Sequence, residues 1–505
     1  MSEARIVVDP DFRVGEVDPR IYGTFVEHLG RCVYTGIYEP GHPTADGDGF
    51  RRDVADLTRE LGVPIVRYPG GNFVSGYRWE DGIGPRDQRP ARLELAWHSV
   101  ESNDVGTDEF CKWVRGVGSE AMLAVNLGTR GPDAAARLVE YCNHPAGTYW
   151  SDLRRKNGAA DPHDVRVWCL GNEMDGPWQI GHKTAEEYGR LATETAKAMR
   201  LVDPTIELVA CGSSNSQMPT FGSWEATVLE HTYDVVDYVS LHTYYQERKG
   251  DKASFLACAV DMDNFIDNVI ATADFVRAKG RHQKRVNLSF DEWNVWYMGG
   301  DDKTQGWQAA PRLIEDTYNV TDAVVVGNLL ISLLRHADRV KMACLAQLVN
   351  AIGAIRSEPG GPSWRQTIFH PFALTSRYGR GTVLRTVATS PSYDTSWFGG
   401  VPALDSVAVE SPDGSGLTVF AVNRLIDESL PLTVDLRGYP DLEVAVHTYL
   451  TDDDSAATNT AENPERVTPR QAAASKVDAG SLSLSLPAQS WNMIRIGKTA
   501  GRSMS

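Results

Sequence analysis

Two glutamates stand out by what precedes them. Glu173 closes the run VRVWCLGNE (165–173), and Glu292 follows VNLSFD within VNLSFDEW (286–293). Each apolar run reads as a strand buried on both faces that gives way to polar residues at its end. Carboxyl groups at two separate strand ends can face one mouth from different sides, as two-carboxylate glycoside hydrolysis requires: one protonates the leaving oxygen while the other attacks the anomeric carbon or activates water. Surface and structural glutamates are common, so the inference rests on the joint placement. Trp168, the turn Gly176-Pro177-Trp178, and Trp293 and Trp296 add aromatic and turn residues of the kind that line carbohydrate sites.

The elements that would position these groups recur along the chain. Short β-branched or apolar runs at 21–28, 63–70, 121–128, 165–173, 206–213, 236–244, 286–293 and 340–347 alternate with segments of helical spacing at 50–62, 107–118, 134–144, 184–202, 262–280 and 322–338. Thr184 with Glu187 forms a capping-box start, and Gly62, Gly118 and Gly280 suit helix C-termini. Eight such cycles favour a closed (β/α)8 TIM barrel, α/β in class, over an open doubly wound sheet. The fourth and seventh strands are then the ones ending in Glu173 and Glu292. No G-x-G-x-x-G opens a helix, so dinucleotide binding is not expected.

After about residue 385 the texture changes to short alternating strands, including SLSLSLPAQSWNMIRI, in which Leu482, Leu484 and Leu486 alternate with serines. This predicts a C-terminal β-sandwich, jelly-roll-like, to which IVVD (6–9) and FRVGEV (12–17) add strands. The expected division is a catalytic barrel over 18–384 and a sandwich over 1–17 and 385–505. The acidic stretch 451–471 reads as a solvated loop.

The net charge of −17, with no long basic run, argues against nucleic acid and anionic membrane as partners and fits a neutral small-molecule substrate. The N-terminus lacks a signal-peptide apolar region and no stretch has the length of a membrane span, which predicts a cytoplasmic enzyme. Seven scattered cysteines without a C-x-x-C pair suggest buried small hydrophobes rather than a disulfide framework or zinc site. Without H-E-x-x-H or another cluster of ligand spacing, no metal and no cofactor is expected.

Together, WCLGNEMDGPW (168–178), DEWNVWY (291–297), RYPGGNF (67–73) and LHTYY (241–245) resemble the α-L-arabinofuranosidases of glycoside hydrolase family 51, in their strand order and over nearly the whole chain. That family is retaining and belongs to the barrel clan with its acid/base after strand four and its nucleophile after strand seven. The resemblance therefore implies Glu173 as general acid/base and Glu292 as nucleophile. It implies Arg67 and Tyr244 as partners of Glu292, and Asn172 as the donor to the sugar 2-hydroxyl. Glu27, Asn72 and Gln347 would hold the furanose hydroxyls, while Trp97 and Trp296 would border the site and its leaving-group side. His242, two residues before Tyr244 and on the same side of the strand, is expected to line the site. Tyr22, Trp79 and Trp178 are weaker candidates for the site.

The implied activity is release of terminal non-reducing α-L-arabinofuranosyl groups from arabino-oligosaccharides by double displacement. A homo-oligomer, a hexamer, is implied in the same way. A β-xylosidase or endo-β-glucanase of the same clan would keep both glutamates and change the sugar. A catalytically silent carbohydrate-binding protein would keep the tryptophans without needing the glutamates, and the presence of both argues against it.

Overall fold

The computed structural model describes residues 3–298, 306–439 and 441–498. Eight parallel strands close into a barrel: β1 (Gly23–Phe25), β2 (Ile65–Tyr68), β3 (Glu120–Val125), β4 (Val167–Leu170), β5 (Glu207–Ala210), β6 (Tyr238–Tyr245), β7 (Asn287–Val295) and β8 (Val340–Ala346), with β8 pairing back on β1. All four residues of β2 and of β4 are buried, as expected of strands covered on both faces. All eight expected strands are present.

Helices Arg52–Leu61, Thr107–Gly116, Pro132–Asn143, Ala185–Val202, Ala259–Gly280 and Val320–Arg335 occupy the predicted segments. The Thr184–Glu187 capping box forms, with Glu187 Oε2 accepting from the Thr184 backbone at 2.9 Å. Gly62 takes the left-handed conformation after its helix (φ +77°). Gly280 does not cap its helix: Arg281 adopts the left-handed turn (φ 56°) instead. A Cβ on Gly280 would lie 2.1 Å from His282 Nε2, so the glycine serves a close approach rather than a turn.

The strand β7 carries an irregularity that matters for the site. Ser240 pairs with Ser289 but His242 pairs with Glu292, and on the other edge Phe290 pairs with Ala343 but Trp293 with Leu345. One extra residue is thus accommodated in β7 between Phe290 and Trp293. Consecutive strand residues normally face opposite sides, and a bulge breaks that alternation. As a result Asp291 and Glu292, neighbours in sequence, both reach His242.

Beyond the barrel, two sheets pack as a sandwich. One comprises Val387–Thr389, Ala4–Val8, Leu430–Leu436 and Ser481–Leu486, in that spatial order. The N-terminal strand lies parallel to 430–436, with Ile6 opposite Val434, and antiparallel to 387–389. The larger sheet includes Arg13–Glu16, Thr382–Leu384, Leu404–Glu410, Gly416–Asn423, Ser490–Gly497 and Val444–Leu450. Ile6, Val419, Leu432, Leu482 and Ile494 fill the space between the sheets.

The larger sheet also packs on helix Val320–Arg335, of which all but Arg335 is buried. A helix apolar on every side is what confinement between barrel and sandwich requires. Gly327 makes the contact possible, since a Cβ there would sit 2.1 Å from Trp491 Cδ1. Asp405 cross-links this interface, accepting from Arg424 Nη2 and Asn328 Nδ2, each at 2.6 Å, and from Arg335.

The acidic stretch expected to be a solvated loop instead docks on the barrel. Ala457, Asn459 and Val467 are buried, and Trp364 Nε1 donates to the Asn459 carbonyl at 3.3 Å. Most of its charges face outward, Asp452 being covered and paired with Arg466 and Arg470, while its small and apolar residues supply the contact, a split invisible to average composition. The seven cysteines are all buried and unpaired.

Candidate active site

The end of β4 turns sharply. Gly171 has φ +87° and Glu173, a non-glycine residue, has φ +44°. A left-handed glutamate is uncommon and is sustained only where its surroundings fix it. Two side chains do so: His242 Nδ1 lies 3.0 Å from Glu173 Oε1, and Trp178 Nε1 donates to Oε2 at 2.7 Å. Trp178 folds back because Gly176 has no side chain; a Cβ there would lie 2.6 Å from the indole ring. Trp178, only a weaker candidate in the sequence reading, therefore touches the acid/base candidate. Its signal was its spacing, five residues beyond Glu173 across a Gly-Pro turn.

Glu292 is held from two sides. Arg67 Nη1 donates to Oε1 at 2.6 Å and Tyr244 OH donates to Oε2 at 2.8 Å. Charged and phenolic donors on both oxygens suit a carboxylate anion. Arg67 Nη2 also donates to Asn172 Oδ1 at 2.7 Å, joining the ends of β2, β4 and β7 through one guanidinium. That leaves Asn172 Nδ2 buried without a partner among the described residues.

Behind these groups lies a residue that the sequence reading noticed only as part of a motif. Asp291 Oδ1 is 2.8 Å from His242 Nε2, and its other oxygen lies 3.9 Å from Arg67 Nε. Both imidazole nitrogens thus face carboxyl groups, which favours a proton on each while those groups are ionised; a protonated Glu173 donates to Nδ1 instead. Burial disfavours that charge, yet Glu292 and the bonds to Asp291 and Glu173 outweigh it and raise His242 to about 10. Burial would also raise Asp291, but Arg67 and His242 hold it below the ordinary carboxylate range. Glu173 is raised, chiefly by burial and further by the Glu292 charge, against the bonds from His242 and Trp178. A carboxyl pushed toward its protonated form is suited to donate a proton.

Around the glutamates opens a cavity of about 850 Å³. It brings together Glu27, Asn72, Trp97, Glu173, Tyr244, Glu292, Trp296 and Gln347 among the residues expected from the sequence. Glu27 accepts from Phe73 N and Trp97 Nε1, both at 2.9 Å, and from Gln347 Nε2 at 3.0 Å. Burial and then Glu292 push its carboxyl up to about 8 despite those donors. Gly71 permits the chain to pass beside it, since a Cβ there would be 2.7 Å from Glu27 Oε2. Trp296 packs edge-on against Tyr244 at 5.2 Å.

Arg67, Asn172 and His242 do not line this cavity but form a layer beneath it with Asp291 and Cys169. His242, expected to line the site, is 2 % exposed at the side chain and sits behind Glu173. Trp168, expected in the aromatic wall, is wholly buried and donates to the Val165 carbonyl at 3.0 Å, as a core residue. Tyr22 and Trp79 are likewise buried structural side chains, bonded to the carbonyls of Gly379 and Ala134.

Among the described residues, Glu173, His242 and Glu292 form the group whose donor atoms lie near enough to one another, within 4.8 Å, to suggest a metal ion. The donor chemistry fits a proton better. The Arg67 guanidinium already sits 2.6 Å from Glu292 and repels a second cation there. Among the described residues, no helix is long and apolar enough to cross a membrane.

Comparison with known proteins agrees with this geometry. Residues 57–267 match the family described as α-L-arabinofuranosidase 1 domain, and residues 291–490 match the α-L-arabinofuranosidase C-terminal domain. The chain is 58% identical to an intracellular exo-α-(1→5)-L-arabinofuranosidase of Halalkalibacterium halodurans, over 98% of this chain and 99% of that one. It is 56% identical to intracellular exo-α-(1→5)-L-arabinofuranosidase 1 of Bacillus subtilis, over 99% and 100% of the two chains. A solved family 51 α-L-arabinofuranosidase from Bifidobacterium longum superposes with a TM-score of 0.92 at 48% identity, covering 98% of this chain and 99% of its own.

Proposed function

From the premise that this chain belongs to the family 51 α-L-arabinofuranosidases, we propose how its site works: as a retaining, exo-acting enzyme in which Glu292 is the nucleophile and Glu173 the acid/base. The activity itself is that of an exo-α-L-arabinofuranosidase, a glycoside hydrolase; the clan alternatives and the silent binding protein are not favoured. The carrying observation is that a Glu173 oxygen and a Glu292 oxygen lie within 4.8 Å of each other across the cavity floor. Oxygens this close favour the carboxyl separation of about 5–5.5 Å of retaining enzymes over the about 6.5–9.5 Å that inverting enzymes leave for a water.

In the first step Glu292 attacks the anomeric carbon while Glu173 protonates the departing glycosidic oxygen. Arg67 and Tyr244 hold the attacking carboxylate in place, and His242, charged and fixed by Asp291, keeps the Glu173 carboxyl aimed. In the second step Glu173 deprotonates the incoming water, and the ester at Glu292 is cleaved with net retention. Asn172, in the layer just beneath the cavity, keeps a buried amide, unpartnered among the described residues, that would serve the sugar 2-hydroxyl once substrate reaches that depth, while Glu27, Asn72 and Gln347 line the cavity and suit the remaining ring hydroxyls.

The substrates are short arabinofuranosyl oligosaccharides, with terminal α-(1→5) linkages the reading supported by the relatives' names. Those names also support an intracellular place of action, suited to fragments of arabinan already taken up. The barrel, about 18–384, is the proposed catalytic unit and the sandwich, 1–17 with 385–505, its companion. Association into a homo-oligomer is part of the same proposal. Proton NMR of the first-formed sugar from 4-nitrophenyl α-L-arabinofuranoside tests it. The α-anomer is expected before mutarotation, and initial β-anomer would overturn the double displacement.

A further inference from the structure

The cavity does not end at the pentose. Its volume of about 850 Å³ lies near the upper end of the about 300–1,000 Å³ typical of small-molecule sites and exceeds what one furanose fills. Part of its rim comes from the sandwich. Trp397 and Phe398 reach it from the turn between the paired strands Ser392–Tyr393 and Val401–Pro402, more than 200 residues from Glu173 in sequence.

This turn is built rather than loose. Thr395 N donates to the Phe398 carbonyl at 2.8 Å, Phe398 N to Thr395 Oγ1 at 2.9 Å, and Gly400 N to Asp394 Oδ1 at 2.7 Å. Ser396 Oγ is bonded to Asp251, the cap of helix Lys252–Leu256 in the barrel, and lies 3.2 Å from Ser254 Oγ. The turn is therefore clamped to the barrel on the side where β6 ends. Trp397 nonetheless leaves 44% of its surface exposed, with the Arg248 guanidinium 5.3 Å from its ring centroid. An exposed indole on a hydrogen-bonded turn, backed by a cation, has no role in the core. Elsewhere the lining mixes the polar run Ser214, Asn215, Ser216 and Gln217 with the exposed apolar Trp178 and Met298 and with Asp261.

We propose that Trp397 and Arg248 form a distal subsite on the leaving-group side, which takes the third sugar from the non-reducing end of a neutral arabino-oligosaccharide. The indole face packs on the sugar's C–H surface, Arg248 donates to its hydroxyls, and the sandwich thereby selects for chain length. The occupant follows from continuity with the carboxylates and from a wall that alternates aromatic faces with the hydroxyl and amide groups of Ser214, Asn215, Ser216 and Gln217, as an uncharged sugar requires. The inference rests on the arabinofuranosidase reading of the same cavity.

The test compares kcat/KM on 4-nitrophenyl α-L-arabinofuranoside, arabinobiose and arabinotriose for the unmodified enzyme, Trp397→Ala, Trp397→Phe and Arg248→Ala. The aryl glycoside and the disaccharide are too short to reach the distal ring. Trp397→Ala is expected to lower the trisaccharide value about five- to tenfold while changing the two shorter substrates little, and Trp397→Phe to retain most of it. Arg248→Ala should lower the trisaccharide value alone, by a smaller factor. Equal losses on all three substrates, or no loss on the trisaccharide, would overturn the subsite while leaving the activity intact. Failure of the unmodified enzyme to cleave the aryl glycoside would instead overturn the activity on which the subsite depends.

Discussion

The ends of β4 and β7 carry the two glutamates in opposite ways. Glu292 lies within a nine-residue strand, at its bulge, 7% exposed, with an arginine and a tyrosine on its two oxygens. Glu173 lies beyond its strand on a left-handed turn, 11% exposed, and is bonded by His242 and by an indole that itself faces solvent. A nucleophile must hold one atom on one line of attack, and a rigid strand does this. An acid/base must meet first a leaving oxygen and then a water, and a turn at the water's edge allows both. The same residue type is thus given two chemistries by backbone and neighbours.

The largest effect that could break this contrast is expected at the rigid end. Glu292→Ala should lower kcat on every substrate on the order of 10⁶-fold, as removal of a catalytic nucleophile does elsewhere. Near-normal turnover of the aryl glycoside by this variant would end the assignment.

At the turn, the loss should depend on the leaving group. Glu173→Ala is expected to cost about 10²–10⁴-fold on oligosaccharides. The first step on 4-nitrophenyl arabinofuranoside should be largely spared, since that leaving group needs no proton. A pre-steady-state burst of nitrophenol would display the difference, and equal loss on both substrates would count against the role.

Between the two ends sits Asp291, a positioning residue that fixes the charge on His242. Asp291→Asn should reduce kcat about ten- to a hundredfold, the scale of a lost charge-assisted hydrogen bond. Without a charged His242, Glu173 is raised further, so the basic limb of kcat/KM should move to higher pH. The stability linkage has a definite sign as well. Because His242 is raised in the folded protein from 6.5 to about 10, its contribution is full below about 6.5 and is lost as pH rises through about 10. The variant should show less of that alkaline decline in urea titrations, and an unchanged pH profile in both assays would remove Asp291 from the account.

The smallest expected effect is at Trp178. Trp178→Phe removes the donor to Glu173 Oε2 and should cost less than about tenfold in activity, with a small shift of the basic limb toward higher pH. A fall as large as that of Glu173→Ala would mean that the indole does more than position.

What the sequence made legible follows from this contrast. Strands buried on both faces announce themselves by composition, and all eight were readable with their order. Glu173 and Glu292 were readable because each stands at the polar end of such a run, whereas Arg67 and Tyr244 were singled out by the family resemblance. The bulge in β7 was not, because an extra residue in a strand leaves no mark on hydrophobic alternation when both faces are apolar. With it went the role of Asp291 and the true depth of His242. Helices Tyr149–Lys156, Ser223–Thr232 and Phe369–Tyr378 also escaped, the first being only eight residues long and the third carrying a proline and three aromatic residues that blur its period. Trp397 belongs to the sandwich by sequence and to the barrel mouth by packing, a relation only tertiary structure reveals.

The most direct measurement of the central claim is mass spectrometry of Glu173→Ala protein quenched during turnover of 4-nitrophenyl α-L-arabinofuranoside. The account predicts that the protein accumulates one anhydro-arabinose and that peptide mapping finds it on Glu292, because the first step proceeds while the base for the second is missing. Nitrophenol release without any adduct, or an adduct on another residue, would contradict it.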